Sequence, residues 1–253
     1  RGGGADTARM PKIDANGIRI EYDSFGDRGA EPLLLVMGLG GQMLLWEDSF
    51  CAALAERGHF VVRFDNRDIG LSTHFDSHGV PDPIALMTAA ASGEPVSVPY
   101  TLDDMADDAV GLCDALGLGE AHFVGASMGG MIVQTVAIRH PARVRSLVSI
   151  MSTTGNPALP PARPEILALL MSPPPVGREA AIDASVEMWR KIGSPGFPFD
   201  EALIPREALC STTARITPRG RRGSSPRSWR TAIARPGSRA SAVTLCLATA
   251  WSW

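Results

Sequence analysis

The nine residues HFVGASMGG (122–130) decide how this chain folds. A short apolar run leads into a Gly-x-Ser-x-Gly turn, and a helical pattern then continues over residues 130–140 until Pro141 stops it. Such a strand-to-helix turn pushes the serine hydroxyl out at the carboxyl end of a sheet, and the flanking glycines make room for it. We therefore predict that Ser127 is a nucleophile, and the alternative is an ordinary loop serine.

A second glycine-rich turn, MGLGG (37–41), follows the apolar run LLLVM (33–37). A serine that attacks an ester creates an oxyanion, and two convergent backbone N–H groups are needed to stabilise it. The residue after the nucleophile, Met128, would supply one N–H group, and Leu39 would supply the other. Alone, this turn would be a plain strand end, but together with Ser127 it predicts an oxyanion hole.

Strand-like and helix-like segments alternate around these motifs, which predicts an α/β fold with a mostly parallel sheet flanked by helices. Thr101 and Asp104 form a capping-box pattern at the start of one helix. The predicted strands cover 18–22, 33–37, 60–64, 122–124 and 144–151, and the predicted helices cover 46–57, 102–116 and 130–140. We take residues 10–154 as the core of this fold.

Residues 155–207 have a different character. Seven prolines lie between 157 and 175, among short helical patterns over 166–171 and 180–192, and no strand-like run occurs. We interpret this segment as a helical cap inserted after a strand and lying over a pocket. Four apolar side chains are candidates to line that pocket, although each would also suit the core: Leu39, Met43, Met128 and Met131.

The motifs resemble the α/β-hydrolase superfamily, and most closely its small esterase and methylesterase branch (aclacinomycin methylesterase-like). The resemblance rests on residues 33–41, the loop FDNRDIGLS (64–72) and residues 124–130, and it covers about 10–207. It implies a serine carboxylesterase that hydrolyses small to medium esters through an acyl-enzyme, with lactonase or perhydrolase activity as alternatives on the same site. In the loop, Arg67 and Asp68 are expected to hold the surrounding segments by hydrogen bonds. The implied site residues are Ser127, the N–H groups of Leu39 and Met128, and the turn glycines Gly125 and Gly129.

The sequence does not reveal the catalytic acid and base. In this fold they follow the serine in that order, yet no histidine follows His140. We expect the histidines at the ends of elements to be structural: His59, His122 and His140. His74 and His78 lie in the loop after residue 72, which is the wrong place in the chain for the catalytic base. The carboxylates of the cap are expected to be solvated charges: Asp183, Glu187, Asp200 and Glu201. A catalytically inactive, truncated homologue is therefore a further alternative.

Charge divides the chain into two parts. Residues 208–253 contain eight arginines and no acidic residue, and subtracting this from the overall charge of −3 leaves −11 for residues 1–207. A basic arm for nucleic acid would need lysines and interleaved aromatic residues, which this tail lacks. We favour an out-of-frame translation of a GC-rich gene. The final strands of the fold would then be doubtful or missing, leaving a sheet edge unpaired and the product poorly soluble.

Composition and cysteine spacing restrict the class of protein to which this chain can belong. The 253 residues are 45% hydrophobic and 20% charged, an ordinary globular composition, and no apolar run of about 18 residues predicts a membrane span. Four scattered cysteines lack the spacing of a zinc site or a disulfide framework, and no nucleotide, flavin or metal motif occurs. We therefore expect no cofactor, no metal and no nucleic-acid partner, but a small-molecule ester substrate. Residues 1–9 resemble added or upstream-translated sequence rather than a signal peptide, which predicts a cytoplasmic location.

Overall fold

The computed structural model describes residues 10–79, 82, 85–86, 88–89, 92–156, 158–160, 162–172, 175–199, 201 and 246–248. Within these ranges the chain forms one seven-stranded sheet. The strands are β1 (Lys12–Ala15), β2 (Ile18–Phe25), β3 (Glu31–Val36), β4 (His59–Phe64), β5 (Ala121–Ala126), β6 (Val144–Ile150) and β7 (Cys246–Ala248).

The sheet has the strand order β1-β2-β4-β3-β5-β6-β7. The β1–β2 and β2–β4 pairs are antiparallel, and all pairs from β4 to β7 are parallel. Parallel neighbours require crossover connections, and those from β3 to β4, from β4 to β5 and from β5 to β6 contain helices that cover the sheet. The predicted α/β class with a mostly parallel sheet is confirmed.

Five α-helices and three short 3₁₀ turns occur in the described part of the chain. The predicted helices are confirmed, with ends that differ by about one or two residues, the usual uncertainty at helix termini. The predicted capping box is also present, and the Thr101 N–H donates to Asp104 Oδ2 at 2.7 Å. The helices are α1 (Asp48–Ala55), α2 (Leu102–Ala115), α3 (Met128–Arg139), α4 (Pro164–Met171) and α5 (Arg178–Ile192), and the 3₁₀ turns are Met43–Leu45, Asp76–His78 and Pro141–Arg143.

Two hydrophobic layers form the core, one on each face of the sheet. Strand β3 contributes to both layers because its side chains alternate, with Leu34 and Val36 on one face and Leu33 and Leu35 on the other. The first layer includes residues of α2 and α3, and the second includes residues of α1. This double coverage explains why β3 is apolar at nearly every position.

A buried ion pair joins the loop after β4 to α2. Arg67 Nε donates to Asp108 Oδ2 at 2.7 Å, Arg67 Nη2 donates to Asp108 Oδ1 at 2.7 Å, and both side chains are buried. In the same loop, Asp68 Oδ1 accepts the Phe75 N–H at 2.6 Å. The predicted role of Arg67 and Asp68 in holding neighbouring segments is confirmed.

At the carboxyl-terminal edge, where the sequence predicts that the final strands are doubtful or missing, the described part of the chain contains one short strand, β7. β7 pairs in parallel with β6 from the Val148–Cys246 pair to the Ile150–Ala248 pair, so three residues of the β6 edge are paired. The short apolar run Cys-Leu-Ala suits such an edge, and a run of this length is too short to predict a strand by periodicity. Other residues of the basic tail, and residues 1–9, lie outside the described part.

Among the described helices, none combines the length and the apolar character that crossing a membrane requires. Two free cysteines, Cys51 and Cys113, lie in the core. Burial raises the pKa of each thiol to about 12, so neither forms a reactive thiolate at neutral pH.

Candidate active site

Ser127 lies at the junction between β5 and α3 in a backbone conformation that L-residues rarely adopt. Its φ is 56° and its ψ is −122°, and its side chain is half-buried. Such a conformation persists only where the surroundings impose it. Here the Ser127 N–H donates to Ile150 O at 2.9 Å, and the Ser127 carbonyl accepts the Gly130 N–H at 2.9 Å. The turn is therefore held by β6 on one side and by the first turn of α3 on the other.

Close backbone contacts explain the two glycines that flank Ser127 in the motif. A Cβ atom on Gly125 would lie 2.1 Å from Gly129 O, and one on Gly129 would lie 2.2 Å from Val36 O. Real Cβ atoms do not approach other atoms this closely, so α3 can meet β3 and β5 only where no side chain intervenes. The sharp strand-to-helix turn thus depends on glycine at both positions.

The glycine-rich turn after β3 lies directly against Ser127. A Cβ atom on Gly38 would be 2.9 Å from both Ala126 O and Ser127 Cβ. The buried Asn66 side chain fixes the start of this turn, because its Nδ2 atom donates to Met37 O at 2.8 Å. The structure therefore brings the two predicted motifs together, although they are almost 90 residues apart in the chain.

The backbone N–H groups of Leu39 and Met128 donate to no acceptor among the residues that the structure describes. Met128 begins α3, where the first N–H groups lack intrahelical partners and carry the positive end of the helix dipole. The Leu39 side chain is 66% exposed, so its turn faces solvent. Leu39 follows Gly38, whose backbone lies against Ser127, and Met128 follows Ser127 itself, so both N–H groups belong to residues next to this contact.

Asp65, at the end of β4, connects two segments near the site by accepting hydrogen bonds from both. Its Oδ1 atom accepts the Met43 N–H at 2.8 Å, and its Oδ2 atom accepts the Leu71 N–H at 3.2 Å. Burial raises the pKa of this carboxyl to about 6, and the two backbone hydrogen bonds partly oppose that increase. Sequence reasoning identified Asp65 and Asn66 only as part of a loop motif, because their partners lie far away in the chain.

All five histidines are within the described residues, and no hydrogen bond there joins any of them to Ser127. His74 Nε2 lies 3.1 Å from Gly70 O, His78 lies beside Ser77, and His140 Nε2 lies 2.6 Å from Asp107 Oδ1. The remaining two, His59 and His122, contact each other at the opposite end of the sheet. The structure therefore assigns no general base to Ser127.

The carboxylates of residues 155–207 do not form a triad with Ser127 in the described part of the chain. Glu187 pairs with Arg190 at 3.3 Å and with Lys191 at 3.8 Å, and Glu201 also pairs with Arg190 at 3.3 Å. Asp183 lies on α5, and Asp200 is outside the described residues. The exposed ion pairs of Glu187 and Glu201 match the predicted solvated charges.

Helix α5 covers the segment that follows the glycine-rich turn. Its buried residues Ile182 and Val186 form a small cluster with Leu45. Of the predicted pocket residues, Met43 is buried, Met128 and Met131 are half-buried, and Leu39 is exposed. The helical segment is thus in direct contact with Leu45, four residues after the glycine-rich turn.

Comparison with known proteins agrees with this architecture. The profile of the α/β-hydrolase-fold family matches residues 31–184. The rhodomycin D methylesterase DauP of Streptomyces sp. (strain C5) is 31% identical over 216 residues, which cover 78% of this chain and 66% of DauP. The rhodomycin D methylesterase DnrP of Streptomyces peucetius is 29% identical over 212 residues, which cover 76% of this chain and 65% of DnrP. The chain spans just under two thirds of the length of these relatives.

Among solved structures, a variant of the meta-cleavage product hydrolase CumD of Pseudomonas fluorescens IP01 has a similar fold. Its TM-score is 0.55 at 20% sequence identity, and the match covers 79% of this chain and 60% of that chain. At this level of identity the likeness establishes the fold alone.

Proposed function

The chain belongs to the α/β-hydrolase-fold family, and on that basis we propose that it is a serine hydrolase of carboxylic esters that acts through an acyl-enzyme. The observation that carries the proposal is the strained backbone of Ser127 at the β5–α3 junction, with φ of 56°. The fold maintains this strain directly after the carboxyl end of β5, where a nucleophilic serine hydroxyl would project from the sheet.

In this mechanism the Ser127 hydroxyl attacks the ester carbonyl and the carbonyl oxygen becomes an oxyanion. The N–H groups of Leu39 and Met128, which have no acceptor among the described residues, would stabilise that oxyanion. The ester C–O bond then breaks, and the proton of the Ser127 hydroxyl passes to the departing alkoxide, which leaves as the alcohol. Water hydrolyses the acyl-enzyme to the free acid and restores the serine hydroxyl. Gly125 and Gly129 hold Ser127 in position by allowing backbone contact between α3 and the sheet.

The general base and the catalytic acid remain unassigned. The contacts described for each histidine are with residues other than Ser127, and no histidine follows His140 in the chain. A serine site without its base keeps the contribution of binding and of the oxyanion hole, a rate about 10³–10⁴-fold above that of water. We therefore expect slow turnover from this chain, and acceleration when a soluble base such as imidazole is added.

Small to medium esters are the proposed substrates, and methyl esters are the first to assay because DauP and DnrP are named as methylesterases. We propose that residues 155–207 act as a cap over the acyl or alcohol pocket, supported by the contact of α5 with Leu45. We also propose residues 10–154 as the catalytic core. A cytoplasmic location stays a prediction from the sequence.

The decisive experiment labels the chain with a fluorescent fluorophosphonate in the presence of imidazole. We expect the wild type and the exposed-serine control Ser77→Ala to be labelled, and Ser127→Ala to remain unlabelled. Hydrolysis of methyl and p-nitrophenyl esters, measured above the Ser127→Ala background, should show the same dependence. Equal labelling of Ser127→Ala and the wild type would refute the nucleophile, and faster turnover of lactones than of esters would replace the proposed substrate class.

A further inference from the structure

Three side chains that could ligate a metal meet at the amino-terminal edge of the sheet, at the opposite end from Ser127. Glu31 begins β3, His59 begins β4 and His122 is the second residue of β5. Glu31 is paired with His59, and Leu33 with His122, in the strand register. Because side chains alternate along strands, this register places all three side chains on the same face of the sheet.

The separation of their polar atoms suits a single ion. One ligand atom from each residue lies within 4.8 Å of the other two. His122 Nε2 and Glu31 Oε2 are 3.3 Å apart. Two ligand atoms that each lie about 2.05 Å from a tetrahedral zinc ion are about 3.3 Å from each other, so this pair already has the required spacing.

Neighbouring groups orient two of these residues. His122 Nδ1 lies 2.6 Å from Ser146 Oγ, which leaves Nε2 facing Glu31. Arg145 Nη1 donates to Glu31 Oε1 at 2.7 Å, which leaves Oε2 facing His122. Metal-binding histidines are commonly held by such a hydrogen bond to the second ring nitrogen.

His59 is the third member of the cluster. Its Nδ1 atom is buried and bonded to no described residue, although buried polar atoms are almost always satisfied. Its ring lies edge-on to the His122 ring, with centroids 5.4 Å apart. The Glu31 side chain is 56% exposed, so an ion can enter this cluster from solvent.

We propose that Glu31, His59 and His122 form a binding site for Zn²⁺. Two imidazole nitrogens and one carboxylate oxygen are a ligand set that zinc favours, and water would complete the coordination. The bound ion would link three adjacent parallel strands at their first or second residues. Without an ion, the charges of this cluster interact through the Glu31–His122 contact and the exposed Glu31–Arg145 ion pair, and exposed ion pairs contribute little to stability.

The test is a titration of the full chain with Zn²⁺ in competition with a chromogenic chelator. We expect one equivalent to bind through this site, and binding to weaken at least about tenfold in His59→Ala, His122→Ala and Glu31→Gln. Two matched controls should bind like the wild type: His78→Ala removes an exposed histidine, and Glu120→Gln removes an exposed carboxylate that also lies near Arg145.

Thermal unfolding with and without Zn²⁺ provides a second measurement. An ion that binds only the folded state raises the unfolding temperature, and this increase should disappear in Glu31→Gln. Because the Glu31 side chain is exposed, this variant should still fold. The proposal would be overturned if the wild type did not bind Zn²⁺, or if all three ligand variants bound Zn²⁺ with the affinity of the wild type.

Discussion

Asp65 is the residue whose ionisation the fold changes most clearly near the candidate site. It is 4% exposed, and burial raises the pKa of its carboxyl from 3.8 to about 6. A carboxyl with a higher pKa in the folded state than in the unfolded state binds its proton more tightly when folded. Its contribution to stability is therefore fully present below pH 3.8 and is lost as the pH rises through about 6.

We predict that Asp65→Asn removes this part of the pH dependence. Between pH 4 and pH 7 the free energy of unfolding of the wild type should fall by up to about 3 kcal/mol relative to the variant, since one pKa unit corresponds to about 1.4 kcal/mol. Urea unfolding across this range provides the measurement. Asp14→Asn, which alters an exposed carboxylate, is the control and should follow the wild type. Parallel stability curves for Asp65→Asn and the wild type would contradict the prediction.

At the residue scale, the sequence predicts groups that act through local geometry better than groups that act through distant partners. Ser127 and its glycines occupy one short turn, so their spacing alone indicates their role. Asn66 acts through Met37 O, and His59 acts beside His122, contacts that only the folded sheet creates. The spacing of residues along the chain could not reveal either contact.

At the element scale, the contact between α3 and β3 fixes the position of Ser127. We predict that Gly129→Ala destabilises the protein by about 3 kcal/mol or more, because the added Cβ would lie 2.2 Å from Val36 O and the backbones would have to separate. Gly119→Ala is the matched control, since its Cβ would meet no atom within 4 Å. Urea unfolding should distinguish the two variants.

Fluorophosphonate labelling extends that comparison to the site. Movement of α3 away from β3 would displace Ser127 from the turn at Gly38, so Gly129→Ala should be labelled more slowly than Gly119→Ala. A Gly129→Ala protein as stable and as reactive as the control would show that this contact does not hold the nucleophile.

Elements with a clear apolar pattern are predicted from the sequence, whereas the strands β1 and β7 are not. The apolar positions of α2 repeat over four turns, and its capping box marks the start. β1 has only four residues, KIDA, and β7 has three, so neither is long enough to establish a period of two. Their pairing partners β2 and β6 define them instead.

At the scale of the whole molecule, the sheet separates two cores that should behave independently. Leu112 of α2 belongs to one layer, and Leu54 of α1 belongs to the other. We predict that Leu112→Ala and Leu54→Ala each reduce the free energy of unfolding by about 2–5 kcal/mol. In the double variant the two losses should add to within about 0.5 kcal/mol, because residues without shared contacts do not couple.

Urea unfolding of the two single variants and the double variant forms the required cycle. A difference from additivity above about 1 kcal/mol would mean that the layers repack together. The sequence anticipated this double coverage from the apolar run of β3, but it could not assign each side chain to a layer, because that depends on which helix crosses which face.

The backbone contact between α3 and β3 also bears on how such a protein diverges. A change near Gly129 or Gly38 disturbs the nucleophile and its neighbouring turn together, so selection has little freedom there. Helix α5 contacts Leu45, shortly after the glycine-rich turn, through side chains such as Ile182, and apolar side chains tolerate exchange for others of similar volume. Laboratory evolution toward new substrates should therefore accumulate mutations in this helix, while Ser127 and the glycines around it stay unchanged.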